Sequence, residues 1–154
     1  MLTITLTTDH NIISEIVCDK KIWALQNGQD PNEDQQHYIP NPQNEYLVVK
    51  HGFHLVGLFV LKKVTHKLYD AHIRILPSYW GSDMSIKATH LMFDWVLANS
   101  ETLSIMTMVP ANCNHVKRFL DKLGAKVSGL IKDGIVYDHE LVDLIVYTKQ
   151  IKEE

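Results

Sequence analysis

A chain of 154 residues, 45% hydrophobic and 21% charged, has the composition of a globular domain with a real core rather than of a disordered tail, and one domain over residues 1–154 is expected. A formal net charge of −3 gives no electrostatic footprint for nucleic acid or an anionic membrane surface, and no apolar run approaches the roughly 20 residues of a membrane span. The opening "MLTITLTTDHN" lacks the basic, apolar and small-residue order of a signal peptide, so a cytoplasmic location is expected.

In chain order, "LTITLT" alternates Leu2, Ile4 and Leu6 with threonines, the period-two pattern of a half-buried strand. Asp9 then stands as a cap before Ile12, Ile13, Ile16, Val17 and Ile22, whose spacing suits one or two short helices. Residues 26–44, "QNGQDPNEDQQHYIPNPQN", carry prolines and amides without periodicity. They read as a long loop that is either mobile or shaped by a substrate or partner. Three strands follow at about 45–50, 54–64 and 67–76, an antiparallel meander with reversals at Gly52 and at Thr65–His66. Pro77 ends the third, because proline has no N–H for the ladder.

Met84, Ala88, Leu91, Met92 and Trp95 then recur at helical spacing, predicting an amphipathic helix over 84–98. "LSIMTMVP" is apolar enough for a central strand, closed by Pro110. Val116, Phe119, Leu120 and Leu123 mark a second amphipathic helix, capped by Asn112 or Asn114 and stopped by Gly124. "AKVSGLIKDGIV" and "HELVDLIVYTKQ" are expected as two strands around an Asp133–Gly134 turn, the strongest short hairpin cue in the chain. A strand, helix, strand unit embedded in hairpins gives an α/β fold whose mixed, mostly antiparallel sheet contains one parallel pair. Cys18 and Cys113 read as free thiols. The histidines, "HGFH" at 51–54 included, lie outside any HExxH pattern, and no metal is expected.

Three stretches carry a family resemblance. "PSYWGSDMSIKATHLMFDWVL" resembles the "P-x-Y-W-G-K-G-Y-A-x-E-A" stretch of the ribosomal-protein N-terminal acetyltransferase branch of the GCN5-related N-acetyltransferases. "NCNHVKRFLDKLGAKVSGLIKDG" is similar to that branch's asparagine-led helix ending in "K-L-G-F", and "DGIVYDHELVDLIVYT" to its closing hairpin. "HIRILPSYWG" is also similar to small acetyltransferase-like proteins encoded by bacteriophages. The resemblance implies a mixed sheet flanked by helices, acetyl-CoA as acetyl donor and an amine of a protein or small molecule as acceptor. The further partner expected is a second copy of the chain, a phage component or a host protein.

The resemblance also assigns residues. The cofactor diphosphate would meet Trp80, Gly81, Ser82, Asp83, Met84 and Ser85, at a turn and helix start where unpaired N–H groups and the helix dipole favour an anion. The family's "Q/R-x-x-G-x-G/A" falls on Trp80, Asp83 and Ser85, so all three defining positions depart while Gly81 remains. Two readings of Asp83 stand side by side. Its carboxylate folds back as a cap and takes the N–H groups a phosphate would use, or it turns to solvent and leaves them open. His72 is the expected base, on the strand where many family members carry a glutamate, since histidine ordinarily titrates close to neutrality. By alternation it shares a face with Asp70 and Arg74.

A backbone N–H near Ile75 is the implied donor to the reacting carbonyl, and Asn112 or Asn114 the implied contact to the pantetheine arm. The family's frequent tyrosine acid falls on Leu120, leaving Tyr79 and Tyr147 as substitutes by residue type. Lys117, Arg118 and Lys122 form a solvated face that could also meet phosphates, and Trp23, Trp80 and Trp95 read as core or rim anchors. Beside the enzyme stands a second expectation: a catalytically degenerate acetyltransferase fold used for binding or assembly.

Overall fold

The computed structural model describes residues 1–27 and 38–153. Its elements run β1 (Leu2–Leu6), α1 (His10–Val17), α2 (Lys20–Asn27), β2 (Glu45–His51), β3 (His54–Thr65), β4 (Leu68–Ile75), α3 (Asp83–Asn99), β5 (Ser104–Pro110), α4 (Asn114–Lys122), β6 (Lys126–Tyr137) and β7 (Glu140–Gln150), with a 3-10 turn at Pro77–Tyr79. Of the long segment read as a loop at 26–44, residues 28–37 lie outside the described residues. Among the described residues no helix is long and apolar enough to cross a membrane, and no group of three or more His, Cys, Asp or Glu side chains gathers for a metal.

The strands form one sheet in the order β1-β2-β3-β4-β5-β7-β6. All neighbours are antiparallel except β4 and β5, because α3 carries the chain back to start β5 in the direction of β4. Alternation along β3 divides the core. Phe59 and Leu61 face α3, with Ala71, Met92 and Val96. Leu58 and Val60 face α1 and α2, with Ile13, Ile16 and Val17. Asp9 caps α1 as expected, its Oδ1 accepting the N–H groups of Asn11 at 2.9 Å and Ile12 at 3.4 Å.

Three local expectations are corrected. The Asp133–Gly134 pair makes no hairpin turn, since β6 runs through it. Ile131 pairs with Leu144 and Ile135 with Val142, so residues 132–134 stand opposite Asp143 alone. The extra length is absorbed as a bulge in which Asp133 has φ 52° and its N–H donates to Asp143 Oδ1 at 2.9 Å. The reversal comes instead at Asp138 and His139, with φ of 53° and 65°, between the paired Tyr137 and Glu140.

The buried stripe of α3 runs through Ser85, Ala88, Thr89, Met92, Phe93 and Val96. It is rotated from the one read in the sequence, so that Met84, Leu91 and Trp95 are only half-buried. Finally, α4 is capped by neither asparagine. Cys113 occupies the cap position, without a side-chain cap bond, and Gly124 stops the helix at φ 79°.

Candidate functional site

β4 and β5 pair through only three residue couples, Leu68 with Ser104, Tyr69 with Ile105 and Asp70 with Met106, and then part. Each is committed along its length to its other neighbour, β4 to β3 and β5 to β7, and the sheet's twist carries them away from each other. The gap opens into a cavity of about 680 Å³ bounded by Ile73–Ile75 of β4, Thr107–Pro110 of β5 and the start of α4. The Leu76 N–H donates to Val56 O at 2.9 Å. By the antiparallel alternation, the peptide groups of Arg74 then point to β3 and the N–H and C=O of Ile75 point to the gap.

The turn into α3 lies in the wall of the same cavity. Pro77 begins the 3-10 turn, and Gly81 reverses the chain at φ 73°, where a Cβ would meet nothing within 4 Å. Ser82 takes the cap position of α3 without capping it, because its hydroxyl donates backwards to Tyr79 O at 2.6 Å. Ser85 is buried and donates its hydroxyl to Ser82 O at 2.7 Å, so a small polar residue fits where the family pattern has glycine or alanine. Asp83 is the exposed first residue of the helix, and its carboxylate accepts no hydrogen bond among the described residues. The N–H groups of Gly81, Asp83 and Met84 therefore have no acceptor among those residues. The cap reading of Asp83 is thereby corrected, and the solvent-facing one is what the fold adopts. Replacing Gly81 with alanine would strain a left-handed backbone with no clash to add, so a loss of about 1 kcal/mol in urea unfolding is expected.

On the opposite wall, the start of α4 contributes Cys113 and His115. Burial pushes the Cys113 thiol above its ordinary titration range. The His115 ring lies 5.7 Å from the Trp80 ring, tilted by 36°, while the Trp80 indole N–H donates to Ile75 O at 2.7 Å. Lys117 turns its ammonium onto Ala111 O at 2.7 Å, whereas Arg118 and Lys122 reach the cavity wall.

The α1 and α2 side of β4 carries Asp70, His72 and Arg74, all lining the cavity. His72 Nε2 stands 3.4 Å from Asp70 Oδ2, with the histidine side chain 40% and the aspartate 14% exposed. Asp70 is the last β4 residue paired with β5, so the imidazole sits just past the point where the strands part. Ile22 of α2 closes on this side. Nearby, the Tyr38 and Tyr46 hydroxyls lie 2.8 Å apart, and burial followed by this bond raises the Tyr38 phenol out of reach of ordinary titration.

Of the residues singled out in the sequence, the cavity brings together His72 and Ile75 from β4 and Trp80, Gly81, Ser82, Asp83 and Ser85 from the turn. It leaves out Met84, Asn112 and Asn114, whose side chains do not line it. Tyr79 packs half-buried against the α3 side of the core, and Tyr147 is buried there at 4% exposure, so neither hydroxyl is in the cavity wall. Trp80, read as a core or rim anchor, is 36% exposed in the cavity wall. Cys113 and His115 were missed. The available signal was their place in the first turn of the helix that follows β5.

A seven-stranded mixed sheet opened between its one parallel pair, with a crossover helix beginning beside the opening, is the fold of the GCN5-related N-acetyltransferases. The chain itself belongs to the family described as "Protein of unknown function (DUF2824)", whose profile matches residues 7–154. No curated protein matches. Among solved structures it is similar to a spermidine N-acetyltransferase from Vibrio cholerae in complex with CoA and spermine, at 15% identity and TM-score 0.80 over 97% of this chain and 95% of that one. It is also similar to yncA from Salmonella typhimurium, assigned as an acetyltransferase and solved with its cofactor acetyl-CoA, at 15% identity and TM-score 0.78 over 100% and 96% of the two chains. A protein assigned as a phosphinothricin N-acetyltransferase aligns at 14% identity and TM-score 0.77 over 99% and 100%. Identities this low carry the fold alone, and activity has to be argued from the site.

Proposed function

We propose that this protein is an acetyl-CoA-dependent N-acetyltransferase acting on an amine of a protein or small molecule. The observation that carries the reading is the parting of β4 from β5 beside an uncapped helix start, so that the Ile75 N–H and the N–H groups of Gly81, Asp83 and Met84 have no acceptor among the described residues next to one cavity. An extended ligand with amides can pair with the exposed edge of β4 as a missing strand would, and a diphosphate suits the donors at the α3 start. Arg118 and Lys122 are placed to add positive charge. Bound there, acetyl-CoA would supply a thioester-activated acetyl group for direct attack by an amine, the amide C–N bond forming as the C–S bond breaks and CoA leaves as its thiolate.

The chain's own residues divide the remaining work. His72 takes the proton of the incoming amine, and Asp70, 3.4 Å away, orients the imidazole and balances the charge it gains. The Ile75 N–H faces the negative charge that develops on the acetyl oxygen. Ile22 and Met108, which line the cavity on the same side as His72, shield the amine from water. The Vibrio cholerae enzyme was solved with spermine, a polyamine, which supports an amine as acceptor. One feature favours the second reading, a fold retained for binding or assembly. Leu120, where the family often has its tyrosine acid, is buried at 3% exposure and provides no acid.

Calorimetric titration with acetyl-CoA separates the two: saturable heat is expected, and its absence at high micromolar ligand would move the protein to the second reading. A companion variant, Asp83→Asn, removes an exposed charge that caps nothing but lies beside the open N–H groups. It should tighten acetyl-CoA binding a few-fold at low ionic strength, with the gain fading as salt is raised. Equal affinity at every salt concentration would show that Asp83 lies outside the field of the diphosphate.

A further inference from the structure

We propose that Trp80 is the residue that decides entry to the cleft, its indole lying as a bar between the two walls that acetyl-CoA must displace before it can seat. The inference rests on the cofactor reading above. From the turn, the ring reaches β4 through its N–H, bonded to Ile75 O at 2.7 Å, and reaches the first turn of α4 through the His115 ring, 5.7 Å away. Those are the opposite sides of the cavity. Ile75 lies on the stretch of β4 that no longer pairs with β5, so its carbonyl is the acceptor that a ligand amide laid along this edge would use. The indole N–H makes that bond in the ligand's place. A carbonyl has a second lone pair, but a ligand amide that used it would still meet the ring in the wall beside it.

The bar is also built to swing. Trp80 is 36% exposed, so its ring is not packed into the core. Among the described residues it makes one side-chain hydrogen bond and one tilted ring contact. Its backbone is extended, φ −63° and ψ 137°, and the next residue is Gly81 at φ 73° with no neighbour where a Cβ would stand. Glycine at that point lets the peptide turn without steric cost, the usual requirement of a hinge.

The test reads the indole directly. In protein labelled with nitrogen-15 at tryptophan, the Trp80 indole N–H signal is assigned by its loss in Trp80→Phe. Acetyl-CoA at saturation, with binding verified by calorimetry, should move that signal far more than those of Trp23 and Trp95. In parallel, surface plasmon resonance should show an association rate about tenfold higher for Trp80→Ala than for wild type, the order expected from removing one hydrogen bond. Trp80→Phe, which keeps a ring beside His115 but has no donor, should fall between them and guards against a misfolded alanine variant. Binding by Trp80→Ala alone, with none by wild type, would equally support the bar. Saturable binding with an unmoved Trp80 signal and unchanged association rates would overturn this inference and leave the cofactor reading standing. No binding by any of the three proteins would overturn both.

Discussion

Replacing His72 with alanine is expected to lower the rate of acetyl transfer by about 10²–10⁴-fold while leaving acetyl-CoA affinity nearly unchanged. The magnitude is that of a positioned proton acceptor, and the proposal of His72 for that role rests on where β4 places the side chain. Asp70 ends the pairing with β5, and His72 is the next residue on the same face, 40% exposed and lining the cavity. Its reach is therefore to an acceptor entering from the α1 and α2 side, whereas the open N–H groups of the α3 turn lie on another stretch of the wall. That separation is why turnover should fall and binding should not. The loss should be largest near neutral pH and shrink in alkaline solution, where more of the amine arrives already deprotonated. A variant that turns over at the wild-type rate across the pH range would remove His72 as the base.

Truncating Phe59 to alanine should cost about 3–5 kcal/mol of folding free energy, measured by urea unfolding. Phe59 is fully buried at 0% exposure and sits at the middle of the sheet, opposite Leu47 on β2 and Ile73 on β4. Its ring faces α3, where Met92 and Val96 are also at 0% exposure, so the surroundings have little freedom to collapse into the void. Because Ile73 is both its cross-strand neighbour and part of the cavity wall, the damage should extend to the site, with acetyl-CoA affinity falling even at temperatures where the variant remains folded. A cost below about 1 kcal/mol would mean that this layer repacks freely, contrary to the close packing of protein interiors.

The sheet was legible because its signals are local and chemical. Pro77 and Pro110 end β4 and β5, alternation in "LTITLT" marks β1, and the helical spacing between two apolar runs forces one parallel pair. The shared face of Asp70, His72 and Arg74 follows from the same period of two. The misplaced turn has a physical reason. Asp-Gly favours positive φ, but a bulge uses positive φ as readily as a hairpin does, and Asp143 Oδ1 was available to accept the Asp133 N–H. The true reversal at Asp138–His139 relies on residues that tolerate the left-handed region without announcing it.

The site was legible as a location and less so as a set of contacts. Asp83 is as good a helix cap as serine by type. Its role was fixed by register, because the turn at Gly81 puts Ser82 in the cap position and pushes Asp83 into the helix. Tyr147 and Tyr79 carry the right hydroxyl but face the α3 side of the core, which residue type cannot reveal. The bond from Trp80 to Ile75 O joins residues five apart across a proline turn, a closure that no periodicity encodes.

The three residue couples between β4 and β5 make the sheet two plates riveted along a short seam: β1 to β4 on one side, β5 to β7 on the other. Whatever is gripped by both plates at once becomes a further rivet. The free energy with which this protein holds such a molecule is then also the free energy with which the molecule resists the plates being pulled apart, so that occupancy and mechanical integrity rise and fall together.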